Sequence, residues 1–143
     1  MAAHLASAFG VAQQTRELGD RDVVTLLAFR GDILVAFAQV RRKHPPPCVT
    51  QARPIELQRF YVERPAHGTG VAQALMGAAR QAAREFGGEH LWLGVWERNP
   101  RAIAFYTKAG FRDVGSTVFQ VGPDRQTDRV LVAPLTVDGG DAA

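Results

Sequence analysis

Residues 62–72 read VERPAHGTGVA and connect a β-rich run to an amphipathic helix. The preceding run, Ile55 to Val62, predicts a strand. From Val71 the apolar residues recur with a period of 3.6, which predicts a helix that ends near Gly87-Gly88. Two glycines directly before a helix let several backbone N–H groups converge, and the helix dipole makes these donors suitable for a phosphate group. A tight turn without a ligand has the same local pattern, so both interpretations stay open here.

The familiar nucleotide-binding motifs do not match this loop. Gln73 stands where the third glycine of a Rossmann fingerprint belongs, and no Gly-Lys-Ser/Thr follows as in a P-loop. The loop therefore needs a second motif before it indicates a particular ligand.

The flanking segments predict a mixed sheet. Val23–Phe29 and Ile33–Val40 are apolar runs around Gly31-Asp32, which predicts a hairpin. Further strands are predicted at Leu91–Trp96, Arg112–Val121 and Arg129–Pro134, and a helix begins at Pro100 after the N-cap Asn99. A helix between two strands that can pair in parallel predicts an α/β fold with helices packed on a mixed sheet.

Composition indicates one globular domain, expected at residues 1–135, with a flexible polar tail at 136–143. The chain has 143 residues, of which 46% are hydrophobic and 22% charged, which excludes a disordered or coiled-coil protein. Its single cysteine, Cys48, excludes an internal disulfide framework, and its four scattered histidines make a metal site unexpected. The longest apolar run is too short to cross a bilayer, so we expect no membrane and a cytoplasmic location.

The formal net charge of +3 suits an anionic partner such as nucleic acid. Charged side chains on a solvated surface explain the same net charge equally well. Because no basic patch is visible in the sequence, we expect no nucleic acid partner.

A second motif lies at residues 99–111, which read NPRAIAFYTKAGF. Together with HGTGVA at 67–72, it resembles the GNAT superfamily of acetyl-CoA-dependent N-acetyltransferases, whose glycine loop reads Q/R-x-x-G-x-G/A. The family's later segment, N-x-x-A-x-x-F-Y-x-x-x-G-F, is matched at Asn99, Ala102, Phe105, Tyr106, Gly110 and Phe111. The resemblance covers roughly Pro54 to Leu135 and implies a GNAT-like acyl-CoA N-acyltransferase fold.

The resemblance implies an acetyl-CoA site with a proton donor. The cofactor-binding residues it implies are Phe60, Val62, His67, Gly68, Thr69, Gly70, Val71, Ala72 and Asn99. Loop amides would hold the pyrophosphate, while the end of the strand and Asn99 would contact the pantetheine. Tyr106 would protonate the departing thiolate, although a core tyrosine with a satisfied hydroxyl is the alternative. His67 replaces the family's Arg or Gln, so Arg64 or Arg101 could assist with the phosphates.

A base must take a proton from the attacking amine, and Glu56 is the leading candidate. Strand alternation predicts that Glu56 shares a face with Phe60 and Val62. Some members of the superfamily carry a catalytic glutamate six residues before the equivalent valine. A salt-bridged or solvated Glu56 is the alternative, with Glu97 or a water relay serving as the base.

The implied activity is transfer of an acetyl group from acetyl-CoA to a primary amine by direct attack. Residues 115–128 are similar to the PaiA-type polyamine acetyltransferases, which indicates a polyamine or another small amine as acceptor. Asp124 and Asp128 in that segment could contact a cationic amine or only shape the turn. A non-catalytic acyl-CoA-binding regulatory module and a protein N-terminal or lysine acetyltransferase are the alternatives.

The N-terminal segment predicts a departure from the family. Leu5, Phe9 and Ala12 follow helical spacing, which predicts a helix that continues toward Leu18. The superfamily's usual first strand is therefore expected to be missing, unless the true start lies upstream. An unpaired sheet edge would result, and we expect a homodimer across it.

Overall fold

The computed structural model describes residues 10–14 and 21–135. Within these ranges the strands are β1 (Gly10–Gln14), β2 (Val23–Arg30), β3 (Ile33–Arg41), β4 (Pro54–Val62), β5 (His90–Trp96), β6 (Arg112–Val121) and β7 (Asp124–Pro134). The helices are α1 (Val71–Glu85) and α2 (Pro100–Lys108), and a 3₁₀ turn spans Arg64–Ala66. One sheet has the order β1-β2-β3-β4-β5-β7-β6, in which β4 and β5 are parallel and the other neighbours antiparallel. The α/β fold with a mixed sheet is confirmed.

The main core lies between the sheet and α1, on the side that we call the helix face. Alternate residues of β2 and β3 point into it, among them Leu26, Ala38 and Val40. Helix α1 buries Leu75 and Ala79 against them, one turn apart on its apolar side. Helix α2 packs on the margin of this core with partly buried side chains only, which leaves space between it and β4.

The opposite side of the sheet, the far face, has a smaller apolar cluster. Trp92, Val130 and Val132 from β5 and β7 pack there, and Val49 covers them from the segment between β3 and β4. Because side chains alternate along a strand, Gly94 and Trp96 also lie on the far face.

Strands β4 and β5 separate after a short parallel ladder. Their pairing runs from Pro54↔His90 to Glu56↔Trp92 and then stops. The gap between residues 57–62 of β4 and 93–96 of β5, here called the wedge, opens the centre of the sheet. It lies next to the turn that precedes α1.

The N-terminal expectations are wrong where the structure describes that region. Gly10–Gln14 form a strand, not a helix, and pair antiparallel along β2 from Gly10↔Phe29 to Gln14↔Thr25. The backbone groups at the edge of β2 need partners, and this pairing outweighs a helical spacing of three residues. The first strand is thus present, so the premise for a dimer across a bare β2 edge fails. The rest of the Leu5–Leu18 prediction and the tail at 136–143 lie outside the described residues.

One further boundary differs, since β7 begins at Asp124 and not near Arg129, which leaves Gly122-Pro123 as the turn. Across the described ranges, no helix combines the length and apolar character that crossing a bilayer requires.

Candidate functional site

A cavity of about 520 Å³ lies on the helix face beside the wedge. The end of β4, the loop before α1 and the inner side of α2 surround it. Its lining residues are Phe60, Val62, His67, Gly68, Gly70, Ala72, Gln73, Arg101, Ala102, Phe105 and Tyr106. Seven of the residues implied by the family motifs therefore meet around one cavity.

The loop at one end of the cavity has the features of an anion cradle. Gly68 and Gly70 have φ values of 80° and 92°, a conformation that side chains other than glycine rarely adopt. Gly70 is the N-cap of α1, no side chain caps this terminus, and its first turn has no acidic residue. A Cβ atom built on either glycine meets no atom within 4 Å, so the space above the loop is open. The first N–H groups of α1 therefore face that space with the positive end of the dipole.

His67 ties this loop to the end of β4. Its Nε2 atom lies 2.9 Å from the carbonyl oxygen of Val62. A carbonyl only accepts hydrogen bonds, so Nε2 must carry the proton and donate it. His67 thus lines the cavity while it contacts one of the backbone groups expected to bind pantetheine. Of the two arginines proposed as helpers, Arg101 lines the cavity and Arg64 does not.

Tyr106 stands at the apolar end of the cavity within a group of aromatic rings. Its ring centroid lies 6.2 Å from that of Phe60, 5.3 Å from Phe105 and 5.7 Å from Phe111, all in edge-to-face arrangements. Burial raises the pKa of the Tyr106 phenol to about 12. The hydroxyl thus stays protonated at neutral pH, and it forms no hydrogen bond with any residue that the structure describes. The alternative of a core tyrosine whose hydroxyl is bonded to the protein finds no partner among the described residues.

Asn99 has a structural role that its sequence position predicted. Its Oδ1 atom accepts a hydrogen bond of 3.1 Å from the backbone N–H of Ala102, which caps α2. Asn99 does not line the cavity, and neither do Thr69 and Val71. The Thr69 hydroxyl donates to the carbonyl of Ala66, and the Val71 side chain is buried in the core. These side chains shape the site, while the amides of Thr69 and Val71 remain in the loop.

A β-bulge places Glu56 on the side of the sheet that alternation did not predict. Ala38 pairs with Phe60 and Val40 pairs with Leu57, so one extra residue, Gln58, is inserted in β4. Phe60 and Leu57 consequently share the helix face, and Glu56 lies on the far face. The expectation that Glu56 shares a face with Phe60 and Val62 is wrong.

Glu56 is buried in its far-face position and paired. It is 9% exposed, and its Oε1 atom lies 2.6 Å from Nε of Arg41. The salt-bridged alternative is therefore observed, with Arg41 as the partner. Glu56 also stands opposite Trp92, the last pair before the wedge opens. Glu97, the second candidate base, is exposed beyond the end of β5.

Three lining residues were absent from the residues implied for the site, namely Gln73, Ala102 and Phe105, and Arg101 was expected only as a helper. Ala102, Phe105 and Tyr106 have the i, i+3, i+4 spacing of one helical side, so this signal was available in the sequence. Among the residues described, no group of three or more His, Cys, Asp or Glu side chains is arranged to hold a metal ion.

Comparison with known proteins gives a family match. Residues 4–111 match the model of the acetyltransferase (GNAT) family. An uncharacterised N-acetyltransferase of Mycobacterium tuberculosis is 40% identical over 83 residues, which cover 58% of this chain and 53% of that protein. The chain thus spans about half the length of the curated relatives that it matches.

Solved structures show the same fold. A nourseothricin acetyltransferase is 29% identical with a TM-score of 0.67, over 80% of this chain and 66% of that chain. The PaiA N-acetyltransferase from Thermoplasma acidophilum, solved with coenzyme A, is 21% identical with a TM-score of 0.59. That match covers 79% of this chain and 61% of the other. At 21% identity, the likeness to the T. acidophilum protein shows a shared fold and nothing more.

Proposed function

The chain belongs to the GNAT family of acetyltransferases, and we propose that it transfers an acetyl group from acetyl-CoA to a primary amine by direct attack. The observation that carries this proposal is the cavity at the wedge. It joins an uncapped helix N-terminus at one end to the protonated Tyr106 hydroxyl at the other.

The donor site has the chemistry that acetyl-CoA requires. The backbone amides of Gly68, Gly70 and the first turn of α1 would bind the pyrophosphate, and Arg101 adds a positive charge to the lining. The backbone of Phe60 and Val62 would bind the pantetheine arm as an added strand, since β4 has no partner along the wedge. Asn99 would contact the same arm through its side-chain NH₂ group, which its capping bond leaves available.

Two residues would move the protons. The amine nitrogen attacks the thioester carbonyl, a C–N bond forms and the C–S bond breaks. Tyr106 would give its proton to the departing sulfur. Apolar surroundings disfavour both the phenolate of Tyr106 and the thiolate of coenzyme A, because each charged form loses its hydration there. Glu56 would accept the proton of the amine from the far face, at the start of the wedge. Acetyl-CoA and the amine would then meet in the wedge, having approached from opposite sides of the sheet.

The acceptor amine is a separate question from the activity. A polyamine is the acceptor that we favour. The likeness to the T. acidophilum protein supports a shared fold and does not identify the acceptor. A protein N-terminus or lysine is the competing acceptor, and a binding module without turnover is the competing function. A cytoplasmic location is also a proposal. So is a homodimer, although β1 covers the β2 edge that suggested it, and light scattering tests the dimer.

A thiol-release assay with acetyl-CoA tests the proposed function. The acceptors are spermidine, simple aliphatic amines and N-terminal peptides, and acetyl-CoA binding is measured by calorimetry in the same sample. Release that depends on an amine supports the proposal. Binding without release for any acceptor favours the binding module, and a protein that does not bind acetyl-CoA contradicts the proposal.

A further inference from the structure

Only two charged side chains are buried in the part of the chain that the structure describes, and both lie on the far face. Glu56 and Asp128 are each 9% exposed. Asp128 is directly opposite Trp96 in the β5–β7 ladder, two residues from Val130 of the far-face cluster. Strand alternation therefore places Asp128 on the same side as Trp92, Gly94 and Trp96.

The two carboxylates differ in their partners. Glu56 is neutralised by Arg41, whereas Asp128 takes part in none of the ion pairs found between described residues. Its Oδ1 atom accepts one hydrogen bond of 2.9 Å from Nε2 of Gln126, an uncharged donor. A nearly buried carboxylate without a cation is costly, because the lost hydration is not replaced by an opposite charge.

The free side of the Asp128 carboxylate lies over a residue without a side chain. A Cβ atom built on Gly94 would lie 3.2 Å from Oδ2 of Asp128. Any larger residue at position 94 would crowd this oxygen, so the absence of a side chain at Gly94 lets the Asp128 carboxylate lie directly over β5. Gly94 is itself exposed and belongs to the stretch of β5 that borders the wedge. The Asp128 carboxylate therefore lies beside the stretch of β5 at which we propose that the amine and the thioester meet.

The surroundings of Asp128 suit an alkylammonium group. Trp96, its neighbour across the ladder, is 46% exposed, and an indole face attracts a cation. A cavity of about 390 Å³ lies next to Asp128, which does not itself line it. Trp96 and Gln126 line this cavity together with four charged residues, Glu97, Asp124, Arg98 and Arg125. The charges of these four balance, and none of the four forms an ion pair with Asp128.

We propose that Asp128 binds a second, non-reacting ammonium group of the acceptor, so that the preferred acceptors are aliphatic diamines and polyamines. This inference rests on the proposed function. Asp128 acts as a specificity residue: it holds one end of the acceptor while the other amine enters the wedge beside Glu56.

The test compares two acceptors that differ by one ammonium group, 1,8-diaminooctane and octylamine. This length is needed because Trp92, opposite Glu56, and Trp96, opposite Asp128, lie about 13 Å apart along β5, which a four-carbon diamine does not span. Calorimetry with the CoA-loaded wild-type protein should show that the diamine binds about 10- to 100-fold more tightly than the monoamine, the size expected for one charge-assisted hydrogen bond. Asp128→Asn should remove this preference without changing acetyl-CoA binding. Asp32→Asn, which removes an exposed carboxylate in the β2–β3 turn, should retain it.

Several results would overturn the inference: equal affinity of the wild-type protein for both amines, no binding of either, or a preference that survives in Asp128→Asn. The wild-type comparison needs no variant, so the absence of a preference overturns the inference even if Asp128→Asn fails to fold. Failure of the proposed function is distinguishable, since it appears as absent acetyl-CoA binding or absent thiol release, whichever amine binds.

Discussion

Arg41 and Glu56 face each other across the β3–β4 ladder, with Nε and Oε1 2.6 Å apart. The pair lies on the far face because the bulge at Gln58 reverses the alternation of β4 between Leu57 and Phe60. Glu56 therefore lies away from the cavity on the helix face, on the side from which we propose that the acceptor amine enters the wedge. A base in this position would take a proton from the acceptor amine and would not contact acetyl-CoA.

Substitutions at this pair separate a catalytic from a structural role. Breaking the pair from either side should lower the free energy of unfolding by about 1–3 kcal/mol, since a charged hydrogen bond is lost. Glu56→Gln should also lower kcat, whereas Arg41→Gln retains the carboxylate and most of kcat. Equal losses of kcat in both variants would leave Glu56 with a structural role only. Chemical denaturation and steady-state kinetics measure the two effects.

Tyr106→Phe tests the proton donor. The substitution keeps the aromatic packing with Phe60, Phe105 and Phe111, so stability should change little. We expect kcat to fall about 10²-fold, the size of a lost general acid, while the affinity for acetyl-CoA is maintained. Unchanged turnover would exclude the role.

The raised pKa of Tyr106 gives a second, spectroscopic prediction. The chain has two tyrosines, so subtracting the alkaline absorbance titration of Tyr106→Phe from that of the wild type isolates Tyr106. The difference should titrate near a pKa of about 12. Because the folded pKa exceeds the usual value of about 10, the contribution to stability is complete below pH 10 and is lost as the pH rises toward 12. A midpoint near 10 would mean that the phenol is not desolvated.

The sequence predicts the local features of the fold, but it does not predict the features that depend on how the strands pair. The Asn99 cap, the Gly68-Thr69-Gly70 loop and the period of α1 each follow from residues near in the chain, and the structure has all three. The bulge at Gln58 depends on how β3 aligns with β4, and no residue near Gln58 in the sequence predicts it.

The same limit applies to β1 and to Asp128. A three-residue helical spacing near Phe9 and Ala12 carried less weight than the open edge of β2, to which Gly10–Gln14 pair. Asp128 looked like a turn residue, because β7 was expected to begin after it. Its burial became visible only once the β5–β7 ladder was known.

Substitution of Gly70 tests the phosphate loop. A side chain at this position needs a left-handed φ of 92°, at a cost of about 1–2 kcal/mol, and would extend into open space above the loop. Gly70→Arg should therefore abolish acetyl-CoA binding in calorimetry, because the arginine fills the cradle. Gly77→Arg is the matched control: Gly77 is exposed in the middle of α1, has ordinary helical backbone and room for a Cβ, and should leave binding intact. Retained affinity in Gly70→Arg would count against the loop as the binding site.

Asn99 is expected both to cap α2 and to contact the pantetheine, and two substitutions distinguish these roles. Asn99→Ala removes the bond to the Ala102 amide and should lower the free energy of unfolding by about 1 kcal/mol. Asn99→Asp keeps an oxygen acceptor for that amide and should retain the stability, but it replaces the NH₂ donor by a second oxygen. We expect both variants to bind acetyl-CoA more weakly, and thermal melting with calorimetry measures the two effects together. Wild-type affinity in Asn99→Asp would restrict Asn99 to the cap, because the donor that the pantetheine contact requires is absent from that variant.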